Sequence, residues 1–322
     1  MRARSADETD PLSDILTLAE VQTVVTGQLC ATGPWGLHFP PPRGLKFLAV
    51  VRGAATYRID GGEVFHLGTN DVLLMNHASP YVLASGADVV TQDGQALMRA
   101  LDPAHRVLVM QGDQGAGQGE ATMLMGGHVS LDRERGLPLA QLLPPVLHIP
   151  ADNAEAPAIQ WLLAQLVRER ATRSLGHQAL TSHLAHMLFL QVLRLHLSRD
   201  SVVASSWLRV LADPQLLPAI RLMHAQPGRA WGLHELASAA AMSRTSFALR
   251  FRSVSGATPM AYLAQWRMLL AQHALQHDSR PIASWTEELG YASESAFSHA
   301  FKRIVGLTPT QYRRRGLAGA GT

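Results

Sequence analysis

The sequence predicts an α+β chain of more than one domain: an N-terminal β-barrel followed by helices, then an all-α C-terminal domain with two helix-turn-helix units. Three observations predict it. Residues 15 to about 130 carry short apolar runs separated by turn residues, the pattern of a barrel or sandwich. From Ala156 to Ser198, apolar residues recur at three- and four-residue spacing, the period of an amphipathic helix. Near the C-terminus the series Ser, Phe at +4, Phe at +8, Gly at +13 and Pro at +16 occurs twice, at 243/247/251/256/259 and 293/297/301/306/309.

In the β region, Phe47 to Gly53 and Asp71 to Met75 are apolar strands. Ala55 to Ile59 and Glu63 to Leu67 form a hairpin around Asp60-Gly61-Gly62, because Asp-Gly supplies the positive-φ positions of a tight turn. Gly112 to Gly119 is a glycine- and glutamine-rich loop. It holds no lysine and opens no helix, which argues against a phosphate cradle. Helices follow at Ala156 to Thr172 and His177 to Ser198, broken at Arg173-Ser174-Leu175-Gly176, and Arg199 to Pro214 is a linker. The expected organisation is a barrel domain over 1–150, a helical linker region over 151–206 whose helices either form a dimer seam or cover the barrel, and a C-terminal domain over 207–322.

Composition narrows the partners. The 322 residues suffice for two cores. No run approaches the ~18 apolar residues of a membrane span, and polar Met1 to Asp10 lacks the apolar stretch of a secretory signal. Cys30 is the only cysteine, which excludes an internal disulfide and a multi-cysteine zinc site. A cytoplasmic protein without a membrane partner is expected. From Trp207 onward there are 13 Lys+Arg against 6 Asp+Glu; subtraction from the totals of 28 and 25 leaves 15 against 19 for residues 1–206. A basic third behind an acidic body predicts a polyanion partner for that third.

The repeat predicts local structure in detail. In the first unit, Gly232 to Ala240 is a short helix, Ala241-Met242-Ser243 the turn, and Ser243 the N-cap of a second helix that Gly256 stops. Thr258-Pro259 starts a long helix, with Thr as cap and Pro at its first position. Pro281 to Leu289, Gly290-Tyr291-Ala292 and the helix from Ser293 to about Val305 repeat the arrangement.

These residues resemble the DNA-binding domain of the AraC/XylS family of transcription regulators. The resemblance covers roughly 207–316 and rests also on Trp207-Leu208, Asp213-Pro214, Met223-His224, Trp231, Met242-Ser243-Arg244, Trp266-Arg267-Met268 and Gly290-Tyr291. A looser match, through Trp35-Gly36, Gly53, Pro138-Leu139, Leu142-Leu143-Pro144 and Leu193-Arg194, is similar to the subgroup with a cupin-like sensor barrel. The resemblance implies two recognition helices in successive major-groove segments of double-stranded DNA, a homodimer, a small-molecule effector in the barrel, and RNA polymerase as a further partner of an activator. Carried onto this chain, the groove-facing positions are Arg244, Thr245, Ala248 and Leu249, then Glu294, Ser295, Ser298 and His299. Arg250, Arg252, Lys302 and Arg303 are expected to anchor phosphates, which positions the domain without reading sequence. Trp285-Thr286 stands where the family carries an apolar residue followed by Ala, and the larger side chain is expected to shift or loosen the second unit.

In the barrel, Trp35, His38, Arg52, Tyr57 and Tyr81 are the candidate effector-lining residues, from their places on the strands. His38, His66 and His77 form no His-x-His pair, and Leu48 and Tyr81 stand where related sensors often carry histidine, so no metal or other cofactor is expected. Asn70 takes the place of a glycine before Asp71. No Gly-x-Ser-x-Gly, His-Glu-x-x-His or nucleotide loop occurs, so no catalytic residue is assigned. The expected function is a sequence-specific DNA-binding regulator under effector control. Its rivals are a constitutive dimeric regulator and a metal-dependent cupin enzyme fused to a DNA-binding tail.

Overall fold

Asp60-Gly61-Gly62 turns the chain as its residues demand. Gly61 takes a φ of 67° and the Gly62 amide donates to the Ile59 carbonyl at 3.0 Å, so that strands β4 (Ala55–Ile59) and β5 (Val64–Leu67) pair antiparallel from Ala55↔Leu67 to Arg58↔Val64. The computed structural model describes residues 5, 8–18, 21–42, 44–102, 106–111, 121–130, 143–153, 156–172, 174–198, 207–278 and 280–319. The Gly112 to Gly119 loop, the Pro138-Leu139 match, Leu142, Arg173 and residues 199–206 of the linker lie outside them.

Two sheets enclose the N-terminal core. One has the order β11 (Val146–Ile149), β6 (Val72–Met75), β3 (Leu45–Arg52), β10 (Thr122–Ser130), β1 (Gln22–Thr32), β9 (Val107–Gln111). The other runs β5, β4, β7 (Tyr81–Ala84), β2 (Gly36–Phe39), β8 (Gln92–Asp93). Leu29, Val50, Leu73 and Leu124 from the first meet Leu37, Tyr57 and Leu83 from the second in one apolar core. A short helix α1 (Pro11–Leu18) precedes β1, and residues 94–100, expected within β structure, instead form a second helix, α2 (Gly94–Ala100). Asp93 caps α2 by accepting from the Ala96 amide at 2.9 Å, and Leu97 and Met98 pack on the core.

Helices α3 (Ala156–Thr172) and α4 (His177–Ser198) pair with each other, α4 along β1 and β11 and α3 on β3. The Ser182 hydroxyl donates to the Thr23 carbonyl at 2.9 Å. All four residues of β6 are buried, as expected for a strand with both faces covered. Asp71, at the start of β6, accepts from the Gly68 amide (3.0 Å), the Ala151 amide (2.8 Å) and His148 Nε2 (2.9 Å), joining β6 to the end of β11. Asn70 before it has a φ of 71°, a left-handed conformation that asparagine tolerates.

The C-terminal body is all-helical: a 3₁₀ turn (Arg209–Leu211), then α5 (Leu217–Ala225), α6 (Leu233–Ala239), α7 (Arg244–Ser255), α8 (Pro259–His277), α9 (Ile282–Glu288), α10 (Glu294–Val305) and α11 (Pro309–Gly319). By contacts, the described residues of Met1–Glu20 belong with this body, while Val21–Ser130 and Leu143–Arg199 form the other. Thus α1 packs on α5 and α8, with Ile15 fully buried. At the centre, His224 stacks on Trp266 with ring centroids 3.9 Å apart, and its Nε2 lies 2.9 Å from the Tyr262 hydroxyl. Burial pushes the His224 pKa down, opposed by Asp14, whose carboxylate lies 3.7 Å from Nδ1. No described helix is long and apolar enough to cross a membrane.

Candidate nucleic-acid interface

The two helix-turn-helix units are built by the same local chemistry. Ser243 Oγ accepts from the Ser246 amide and Ser293 Oγ from the Ala296 amide, each at 3.1 Å, starting α7 and α10. Gly256 (φ 76°) and Gly306 (φ 85°) end them in the left-handed conformation. Thr258 and Thr308 then cap α8 and α11 by accepting from the amides of Ala261 (3.2 Å) and Gln311 (3.3 Å). The phenylalanines of the repeat are all fully buried. Phe251 meets Tyr262 edge-on at 5.6 Å and Phe301 meets Tyr312 at 5.6 Å, so each recognition helix is clamped to the long helix that follows it.

With the phenylalanine face inward, the opposite face of each helix is presented to solvent. Arg244, Thr245, Leu249 and Arg252 are exposed on α7, with Ala248 and Arg250 half-buried beside them. On α10, Glu294, Ser295, His299, Lys302 and Arg303 are exposed and Ser298 is half-buried. Leu249 is 66% exposed, an apolar side chain standing among arginines. Arg250 differs from the other expected anchors: its Nε donates to Asp213 Oδ2 at 2.9 Å, while Asp213 Oδ1 accepts from the amides of Gln215 and Leu216. That arginine ties α7 to the corner before α5.

The second unit absorbs the unexpected Trp285-Thr286 without displacement of its pattern. Thr286 is buried, and its hydroxyl donates to the Ile282 carbonyl one turn back at 3.2 Å, so it enters the close-packing position with its polar group satisfied. Trp285 lies half-buried under the Arg280 guanidinium, 3.9 Å from the ring centroid. The turn bond from the Tyr291 amide to the Thr286 carbonyl, 2.9 Å, has the same length as that from Met242 to Ala237.

A tie between the units escaped the sequence reading. Arg267 Nε donates to the Pro227 carbonyl at 2.6 Å and its Nη2 to the Arg229 carbonyl at 2.9 Å, with the guanidinium 5.6 Å from the Tyr291 ring centroid. It thereby holds the loop before α6 against the turn of the second unit. There Gly228 and Gly290 meet backbone to backbone: a Cβ on Gly290 would lie 2.0 Å from the Gly228 carbonyl oxygen. Burial pushes the Arg267 pKa down, with Tyr291 acting in the opposite sense. The Trp266-Arg267 and Gly290-Tyr291 pairs were visible in the sequence, but not that they meet.

In the barrel, a cavity of about 370 Å³ opens between the sheets. Tyr81 lines it. Trp35 and Tyr57 are buried in the surrounding core, and Tyr57 hydrogen-bonds His77 Nε2, while His38 and Arg52 are exposed. Met98, Lys46, Arg99 and Arg106 line the cavity and were not anticipated. Among the described residues, no group of three or more His, Cys, Asp or Glu side chains is placed to hold a metal.

Comparison with known proteins places these two bodies among known families. The Cupin family matches residues 10–198, and the Helix-turn-helix domain family matches residues 236–315. A putative AraC-like transcription regulator of Streptomyces antibioticus is 38% identical over 95% of this chain and 98% of its own. The RCS-specific HTH-type transcriptional activator RclR of Escherichia coli K12 is 30% identical over 95% of this chain and 98% of its own. Among solved structures, the DNA-binding domain of AdpA in complex with a target DNA is 29% identical over 32% of this chain and 94% of that one, with a TM-score of 0.31.

Proposed function

Because this chain belongs to the AraC-like family of transcription regulators, with a cupin-like domain and a helix-turn-helix DNA-binding domain, we propose that it grips two successive major-groove segments of a promoter as a homodimer. A small effector in the barrel cavity changes that grip, and no catalytic step is involved. The observation that carries the reading is the pair of capped helices α7 and α10, each with its phenylalanines buried and its polar face open. Arg244, Thr245, Ala248 and Leu249 face the groove from the first helix, and Glu294, Ser295, Ser298 and His299 from the second. Arg252, Lys302 and Arg303 meet phosphates, whereas Arg250 serves the corner at Asp213.

Footprinting on DNA upstream of the chain's own gene tests this: two protected segments about one helical turn apart are expected, and no protection at low salt would sink the proposal. Lys302→Ala with Arg303→Ala should weaken all sequences alike and reduce the log–log salt slope by about 2, since each phosphate contact contributes roughly 0.9. His299→Ala should instead alter the preferred base at one position. An unchanged preference removes His299 from the reading set.

A further inference from the structure

Each helix-turn-helix unit packs on its own stretch of α8. Phe251 of the first meets Tyr262, while Phe297 and Phe301 of the second join Met268, Ala271 and Leu275 in one apolar cluster. The helix then gives way to an extended Asp278 (φ −129°, ψ 128°), and α9 starts at Ile282. Apolar packing is non-directional, so it holds the units close without fixing the rotation of one against the other. Directional contacts supply that.

They come from the loop between α5 and α6, which is braced within itself. The Trp231 indole Nε1 donates to the Gln226 carbonyl at 3.0 Å, the Arg229 amide donates to the same carbonyl at 3.2 Å, and the Trp231 amide to the Arg229 carbonyl at 2.9 Å. The Arg229 guanidinium lies 4.2 Å from the Trp231 ring centroid and pairs with Glu235 of α6, which joins the loop to the first unit. On its other side the loop enters the turn of the second unit: a Cβ on Gly228 would lie 2.2 Å from the Glu288 carbonyl oxygen. The Glu288 carboxylate is held by Arg280 at 2.7 Å, and Arg313 of α11 donates to the Arg280 carbonyl at 2.8 Å. Arg267, from the middle of α8, donates to the carbonyls on both sides of Gly228. One planar fork thus clamps the loop onto the turn with two charge-assisted bonds.

Resting on the two-segment reading above, we propose that Arg267 is a positioning residue that makes the two units a ruler. The spacing and helical phase of the two DNA segments then help to select the site, beside the bases read within each. One inserted base pair moves the second segment by about 3.4 Å and turns it by about 35° around the duplex axis. Units free to swivel would follow that change. Units joined at α8 and again at Gly228 and Gly290 follow it only by breaking the Arg267 bonds.

The test uses duplexes selected by the full chain from a random library, rebuilt with one base pair added or removed between two neighbouring protected segments. It reads the ratio of affinities for selected and altered spacing, in which a uniform loss of stability or charge cancels. The parent should favour the selected spacing by about tenfold or more, the scale of one mismatched base pair. Arg267→Met, which keeps the stem and removes the fork, should lower the ratio to about threefold or less. Arg267→Lys, which keeps the charge but lacks the fork, should fall between, and it carries the test with the parent if Arg267→Met does not fold. A parent indifferent to spacing overturns the ruler, and a full parental ratio in the variants overturns the role of Arg267. A single protected segment in the selected duplexes instead overturns the two-segment reading, and the ruler with it.

Discussion

Ala241 holds a φ of 52° in the turn of the first helix-turn-helix unit, and Gly290 holds 72° in the turn of the second. Both follow their short helix by the same interval, so one backbone requirement is met once by alanine and once by glycine. A left-handed alanine costs about 1 kcal/mol, partly offset by glycine's larger unfolded-state entropy. Ala241→Gly should therefore stabilise the C-terminal body by about 0.5 kcal/mol and raise its thermal midpoint. An unchanged or lower midpoint would falsify this account of the turn. The caps at Ser243, Thr258, Ser293 and Thr308 were legible because they depend on neighbours within three residues. The fate of Arg250 was not, because its partner Asp213 lies in another element.

At the scale of elements, the two recognition helices have their relative placement set by α8 and by the junction it braces. Gly290→Ala would force a methyl group to 2.0 Å from the Gly228 carbonyl oxygen, on a backbone that cannot yield without moving the Arg267 tie. The expected cost is about 1–3 kcal/mol, the usual range for overpacking a well-fitted contact. Its signature is selective: footprint protection by α10 should be lost while that by α7 survives. Equal loss across both segments would assign the junction to general stability. The sequence predicted the helices of this region to within one or two residues, yet it missed α2, although Asp93 and the apolar spacing of Leu97, Met98 and Leu101 stood in plain order. The apolar runs on either side read as strands, and a seven-residue helix is too short to announce its period.

Across the whole molecule, the outer positions of α3 and α4 carry exposed apolar side chains, Trp161 at 55%, Met187 at 48% and Leu180 at 46%. Such residues on paired helices suit a second copy of the chain. The double substitution Trp161→Glu with Met187→Glu should convert a dimer to a monomer in analytical ultracentrifugation and weaken binding to a two-site promoter. A parent chain that sediments as a monomer at micromolar concentration refutes the seam. By itself the sequence determined that a β region precedes two helices and an all-helical C-terminal body, and it determined the duplicated helix-turn-helix and its caps, since each is written in residues close along the chain. Only the tertiary structure decided that Thr286 is accommodated by a bond to its own helix, that Arg267 ties the two units, and that Lys46, Arg99 and Arg106 line one cavity. Those facts depend on side chains brought together from distant strands and helices, and spacing along a chain carries no record of which distant groups will meet.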